Sequence, residues 1–438
     1  MMDKREAAIE IFLAGVESVK PANLIRRFVA LTGNVLIINE LKFELSEIKN
    51  IFLIGAGKAS AMMAREIESI LGNRITEGHI ITKYQHIVPL KYTGITEAGH
   101  PVPDENGLKG TEKMMAIAEK ATKDDLVICL LSGGGSALMA DIPEGCALSD
   151  LKILNEVLLK SGADIGEMNC IRKHLSKVKG GQLAKTIAPA TAVSLILSDV
   201  IGDRLDVIAS GPTAPDPATF ADALQVIEKY RIEYRIPLQI MQFLKEGLDG
   251  KHPETLKENE ELLKLTYNFI IGSNTLALNE SAQKAKSLGY ETTIITNALE
   301  GDTERVAEKI VEAALRTQNE RKGEKVCLLF GGEPTIKVKA NGLGGRNQHL
   351  ALITAKLLEN TSNITLLSGG TDGSDGPTEA AGAVCDSHTS VNAQNLHLNI
   401  ERYINEFDSF NFFKKAGGLV ITGPTQTNVM DIIVVLIN

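Results

Sequence analysis

The sequence predicts an α/β protein of two domains, each built on a mostly parallel sheet flanked by helices. Three observations predict it. Short β-branched runs recur along the chain, each passes into a turn rich in Gly, Ser, Thr or Asp, and amphipathic stretches separate them. Apolar runs of strand length that do not alternate suit strands buried on both faces, as helices on either side of a parallel sheet require.

In chain order, residues 51–54 run into Gly55-Ala-Gly-Lys58, and residues 78–82 end at Lys83. Residues 126–131 meet Ser132-Gly-Gly-Gly-Ser136, and 192–197 meet Ser198-Asp-Val-Ile-Gly-Asp203. Further on, 269–271 meet Gly272-Ser-Asn274, and 326–330 meet Gly331-Gly-Glu333. Residues 364–367 meet Ser368-Gly-Gly-Thr-Asp-Gly373, and 419–421 meet Thr422-Gly-Pro-Thr425. Two helix starts are legible: Asp216-Pro217 reads as an N-cap followed by proline, opening a helix over 218–230, and Ser149 precedes one over 150–160. A charged, polar stretch at 245–264 marks the expected boundary between an N-terminal domain, 1–250, and a C-terminal domain, 265–438.

The 438 residues suffice for two or three cores. The net charge is −9 and no basic run stands out, which argues against a nucleic-acid partner. No apolar run approaches the roughly 18 residues of a membrane span, and the N-terminus mixes Asp3, Lys4, Arg5 and Glu6 with short apolar groups, so the cytoplasm is the expected compartment. Five widely spaced cysteines without a C-x-x-C pair predict small buried thiols. Eight histidines show no metal-ligand spacing, and no G-x-S-x-G elbow accompanies the serines.

In open parallel sheets ligands bind outside the carboxyl ends of the strands, where this chain places its glycines and charges. Glycine lets the backbone approach a phosphate, and successive N–H groups make an anion nest, helped by a helix N-terminus beyond. Ser132, Gly133, Gly134, Gly135 and Ser136 form the strongest such loop and are expected to bind nucleotide phosphates. The P-loop spacing fails at Gly55–Ser60, and the dinucleotide pattern finds Ser60 and Leu138 where its third glycine belongs. Phosphoryl transfer asks mainly for positioning and for neutralising charge. Lys58 and Arg346 can hold the substrate and the transferring charges, Arg346 through its fork of donors. Asp199 and Asp372, each after a strand, can accept a hydroxyl proton or ligate Mg²⁺. Asp203 and Asp375 are as readily turn formers as functional groups.

These same segments, in order, resemble the class II (MOFRL-type) glycerate 2-kinases. The resemblance rests on Gly55-Ala-Gly-Lys-Ala, Gly99-His-Pro-Val-Pro-Asp, Leu131-Ser-Gly-Gly-Gly-Ser-Ala, Asn169-Cys-Ile-Arg-Lys-His-Leu-Ser176 with Lys179-Gly-Gly181, and Ser198-Asp-Val-Ile-Gly-Asp with Ile208-Ala-Ser-Gly-Pro-Thr213. It continues through Gly344-Gly-Arg-Asn-Gln, Gly370-Thr-Asp-Gly-Ser-Asp-Gly-Pro-Thr378, Ala380-Ala-Gly-Ala and Gly423-Pro-Thr-Gln-Thr-Asn-Val429. It implies ATP and Mg²⁺, transfer of the γ-phosphoryl group to the C2 hydroxyl of D-glycerate, and an active site in a cleft between two α/β domains. It also implies site roles for Lys58, Asp199, Arg346 and Asp372, with the metal ligands undetermined and a homodimer as open as a monomer. His349 and Gln426 depart from the family pattern, which has an acid and a glycine there. The alternatives are an NAD(P)H-dependent hydroxypyruvate reductase, which the failed dinucleotide pattern disfavours, and a non-catalytic nucleotide or metabolite sensor.

Overall fold

A computed structural model describes residues 3–438. They form two compact units, Leu24–Ile271 and, together, residues 3–23 with Gly272–Asn438. This division differs from the expected 1–250 and 265–438 at both ends. The helix Lys4–Ser18 packs within the second unit, where Arg5 Nε meets Asp386 Oδ2 at 2.7 Å and the Ile11 carbonyl accepts from the Ser281 hydroxyl at 3.0 Å. At the other end, a strand over residues 266–272 extends the first unit's sheet, so the division falls after the charged stretch.

The first unit opens with a small antiparallel sheet, β1 (Val29–Thr32), β2 (Val35–Ile38) and β3 (Leu41–Glu44), which the sequence did not announce. Its main sheet contains β4 (Ile51–Ala56), β5 (Ile75–Lys83), β6 (Gly94–Ala98), β7 (Leu126–Leu131), β8 (Thr191–Leu197) and β9 (Thr266–Gly272), in the order β6-β5-β4-β7-β8-β9. The pairs β5–β6, β4–β5, β4–β7 and β7–β8 are parallel. Every residue of β4 and β7 is buried, which is why both read as unbroken apolar runs. Strand order reverses between β4 and β7, so their carboxyl ends flank a topological switch point.

Four helices, Leu148–Ser161, Ile165–His174, Phe220–Lys229 and Leu238–Leu248, make a second core around Leu158, Ile171, Phe220 and Leu244. Two expected caps shift here. The helix expected over 218–230 begins at Phe220 with Thr219 as its cap, whose side chain accepts from Asp222 N–H. Asp216 is instead buried against Lys173 Nζ at 3.1 Å, a stronger claim on a carboxylate than an exposed cap. The helix expected from 150 begins at Leu148, with Asp150 accepting from Ala147 N–H at 2.8 Å.

The second unit's sheet contains β10 (Glu291–Leu299), β11 (Val326–Gly332), β12 (Ile364–Gly370), β13 (Gly382–Asp386), β14 (Leu419–Val420) and β15 (Asp431–Ile437), in the order β10-β11-β15-β12-β13-β14. Only β10–β11 is parallel; the other four pairs are antiparallel. The α/β class holds for both units, but "mostly parallel" holds for the first sheet alone. The physical reason lies in β15, a fully buried apolar strand inserted antiparallel between β11 and β12. Burial on both faces gives a strand an apolar run whatever its direction. The helix Arg346–Leu357, buried along most of its length, lies on this sheet's core with Phe412 and Phe413.

Candidate active site

The loops after β4 and β7 are laced together. Lys58 N–H donates to the Gly133 carbonyl at 2.9 Å and Ser132 N–H to the Ala56 carbonyl at 3.2 Å. Ser132 is fully buried; its Oγ accepts from Ala59 N–H at 3.1 Å and lies 3.2 Å from Ser60 Oγ. Gly57, at φ +143°, passes so close that a Cβ there would collide with the Ser132 hydroxyl and carbonyl. The expected phosphate loop therefore divides by role. Ser132 holds the two loops to each other rather than facing a ligand. Gly135 likewise packs tightly: its N–H donates to the Ser132 carbonyl, and a Cβ there would collide with the Ala209 side chain at 2.8 Å.

Gly133 and Gly134 donate their backbone N–H groups to no acceptor among the described residues, and Gly134 is left-handed at φ +83°. That is the arrangement of an anion nest. The helix that follows, Gly135–Leu138, has only one turn, so the dipole support expected there is slight. Ser136 Oγ lies 2.8 Å from Ser210 Oγ. Ala209 and Ser210 hold left-handed backbone at φ +50° and +62°, strain of the kind that collects at functional sites.

Lys58 is half-buried beyond β4, and its carbonyl meets His86 Nδ1 at 3.1 Å. Burial, with the charges of Lys58, Lys83 and His86, pushes the His100 imidazole down to about 4. Asp199 follows β8 on the same edge of the sheet, next to the β7 loop. In the first unit, then, the fold gathers Lys58, Asp199, the glycine loop and His100 at the strands' carboxyl ends.

In the second unit Arg346 starts the buried helix and is already engaged. Its Nε and Nη2 donate to Asp431 Oδ2 and Oδ1 at 2.6 and 2.9 Å, and its Nη1 to Glu333 Oε1 at 2.8 Å. Burial works against this guanidinium, yet the bond to Asp431 with the charges of Asp431, Glu333 and Asp375 holds its pKa above the ordinary value. Burial pushes Asp431 up to about 6 in spite of Arg346. Asp372 follows β12, where its Oδ1 accepts from Ser374 N–H at 3.0 Å. A Cβ on Gly370 would sit 3.4 Å from Asp372 Oδ1 and 3.5 Å from Asp431 Oδ1, so Asp372, Asp431, Arg346 and Glu333 form one charged cluster.

Asp375 is different. Its carboxylate accepts from the N–H groups of Asn347 at 3.0 Å and Gln348 at 2.8 Å, anchoring the first turn of the Arg346 helix from a buried position. It is a structural acid. Asp203, at φ +53°, sits in the turn after Asp199. Sequence reasoning missed Asp431 and Glu333. Glu333 stood in plain view after Gly331-Gly332, while Asp431 gave one signal, an acid abutting an apolar run. No group of three or more His, Cys, Asp or Glu side chains is set to hold a metal among the described residues, nor does any described helix have the length and apolarity to cross a membrane.

Residues 7–245 match a domain of unknown function, DUF4147, and residues 326–431 match the MOFRL family. A glycerate 2-kinase of Pyrococcus horikoshii is 38% identical over 100% of this chain and 98% of its own. The chain belongs to the MOFRL-type glycerate kinase family. The crystal structure of the Thermotoga maritima glycerate kinase superposes with a TM-score of 0.87 at 39% identity, covering 99% of each chain. A relative from Agrobacterium vitis, provisionally named a hydroxypyruvate reductase, is 39% identical over 88% of this chain and 86% of its own. The family's two α/β domains are those described above.

Proposed function

We propose that this chain transfers the γ-phosphoryl group of MgATP to the C2 hydroxyl of D-glycerate, giving 2-phosphoglycerate and ADP. The observation that carries this reading is the end-to-end similarity to glycerate 2-kinases, 38–39% identical over 99–100% of this chain. The charged loops support it. Phosphoryl transfer needs cations, carboxylates and open backbone N–H groups aimed at oxyanions, and the strand ends supply all three.

The C2 oxygen attacks phosphorus in line, a new P–O bond forms, and the bond to the β-phosphate's bridging oxygen breaks, its electron pair leaving with ADP. Asp199 or Asp372 takes the hydroxyl proton. The Gly133 and Gly134 N–H groups receive nucleotide phosphates, and Lys58 neutralises the transferring charge. Arg346, held by Asp431 and Glu333, keeps two N–H groups for oxyanions beyond the three so bound. Mg²⁺, if bound with the nucleotide, would help neutralise the phosphate charge, and Asp199 or Asp372 would be the carboxylates to hold it. The cytoplasm is the compartment where ATP is at hand.

The reductase reading lacks a dinucleotide fingerprint, and a nucleotide sensor would leave the charged clusters without work. The test is glycerate-dependent ADP release from MgATP, with NAD(P)H and hydroxypyruvate run in parallel. Rapid ADP release with no NAD(P)H oxidation is expected; the opposite pattern would replace the kinase by the reductase, and ATP binding without turnover would favour the sensor.

A further inference from the structure

A cavity of about 220 Å³ opens in the first unit, where the helical layer meets the glycine loop. Gly134 and Ser136 line one wall, and Asn155 and Arg172 of the helices Leu148–Ser161 and Ile165–His174 line another. It is many times the roughly 15 Å³ that one water needs.

The charges around it do not balance. Lys179 is buried and satisfied, its Nζ 2.7 Å from the Met139 carbonyl and 3.2 Å from Asp141 Oδ1. Asp141 is satisfied too, accepting from Ser176 Oγ at 2.8 Å and from Lys177 N–H at 2.5 Å. His100 is neutral at pH 7. Arg172 is left over. Its Nε donates to Asn155 Oδ1 at 2.9 Å, and no carboxylate pairs with it among the described residues. Burial alone pulls its pKa below the ordinary value, with no acid to offset it. A mostly buried guanidinium without a counter-charge is costly to the fold and is retained where a ligand supplies the anion.

We infer that this cavity is the acceptor pocket and that Arg172 holds the carboxylate of the small hydroxy acid, an assignment that rests on the kinase reading and adds a residue to it. One uncompensated positive charge calls for one negative charge, which a monocarboxylate brings and a nucleobase does not. The two Nη groups of Arg172 form the fork that matches a carboxylate at two points. Of the other lining residues, Ala137, Ala140, Leu151, Leu154 and Leu175 are aliphatic, and His100 supplies the one aromatic ring. A carboxylate on Arg172 places the rest of a short acid toward Gly134 and Ser136, the wall that belongs to the phosphate loop.

Full-length wild type, Arg172→Met and Arg172→Lys are compared in steady-state kinetics and by calorimetric titration with D-glycerate in the absence of nucleotide. Arg172→Met should raise KM for D-glycerate and weaken its binding ~10–100-fold, leave KM for MgATP within a few-fold, and lose the wild type's preference for D-glycerate over its uncharged amide. Arg172→Lys should recover part of the binding. The melting temperature of Arg172→Met should not fall, because an unpaired charge is removed. A rise in KM for MgATP with glycerate unaffected would give the pocket to a nucleotide phosphate and overturn the assignment, as would unchanged glycerate binding in both variants. Wild type that binds D-glycerate through Arg172 yet releases no ADP would refute the kinase reading and leave the pocket standing.

Discussion

Arg346 grips Asp431 at two points, Nε to Oδ2 at 2.6 Å and Nη2 to Oδ1 at 2.9 Å, at the start of the second unit's central strand. The carboxylate is 1% exposed, so its partner cannot be replaced by water. Asp431→Asn strips the guanidinium of its buried counter-charge and should destabilise the protein by about 2–4 kcal/mol. Glu333, whose side chain is 46% exposed, should tolerate Glu333→Gln within ~1 kcal/mol. Urea denaturation midpoints of the two variants check the contrast.

The two acids of Thr371-Asp-Gly-Ser-Asp375 should separate cleanly on substitution. Asp375 satisfies two N–H groups of a buried helix turn, so Asp375→Ala should lower stability by about 2–4 kcal/mol. Asp372 makes a local turn with Ser374, so Asp372→Asn should keep its melting temperature within a few degrees while kcat/KM falls at least ~100-fold. Melting curves and steady-state rates on both variants decide it.

Lys58 contributes through its side chain and Gly57 through lacking one. Lys58→Ala keeps the backbone bond to Gly133 and should fold normally with kcat/KM down at least ~100-fold. Gly57→Ala drives a methyl into Ser132 at φ +143° and should lose both activity and about 2–4 kcal/mol of stability. Activity of Lys58→Ala within a few-fold of wild type would remove Lys58 from the mechanism.

Acid should unfold this protein partly through its buried histidines. Burial holds His349 at about 4, against 6.5 for an ordinary imidazole, and His79 likewise, with the Lys113 charge adding to it. As pH falls below about 6.5 the unfolded chain protonates first, so the stability each ring contributes is full above that value, is lost progressively between about 6.5 and about 4, and changes no further below that. His349 stacks on Phe407 at 4.8 Å, so His349→Leu keeps an apolar contact while removing the titration. Between pH 6.5 and 4.5 wild type should lose about 2 kcal/mol more than this variant, read from urea midpoints across the range.

The fold's legibility followed what each residue's pattern can encode. Residues 51–54, 126–131 and 192–197 read as buried strands because they are apolar apart from Ser194, and all three lie in the parallel sheet. β15 is as apolar but has no glycine turn after it, so the strand-then-loop pattern passed over the second unit's central strand and its antiparallel direction. The helix Lys4–Ser18 could not be assigned to the distant unit from sequence, because that membership rests on contacts such as Arg5 with Asp386. Lys58, Asp199, Arg346 and Asp372 were visible as charges in glycine-rich turns. The internal duty of Ser132 was not, since a buried hydroxyl and a phosphate-facing one look alike in a Gly-rich loop. Arg172 was hidden for the opposite reason: it sits on a helix, and only its missing counter-charge sets it apart.

The most direct measurement is ³¹P NMR of the product formed from MgATP and D-glycerate, followed by addition of enolase. The kinase reading predicts ADP together with a monophosphate on C2 that enolase consumes at once. A product that enolase rejects until a mutase is added would move the transfer to C3, and no glycerate-dependent phosphate ester at all would contradict the proposed activity.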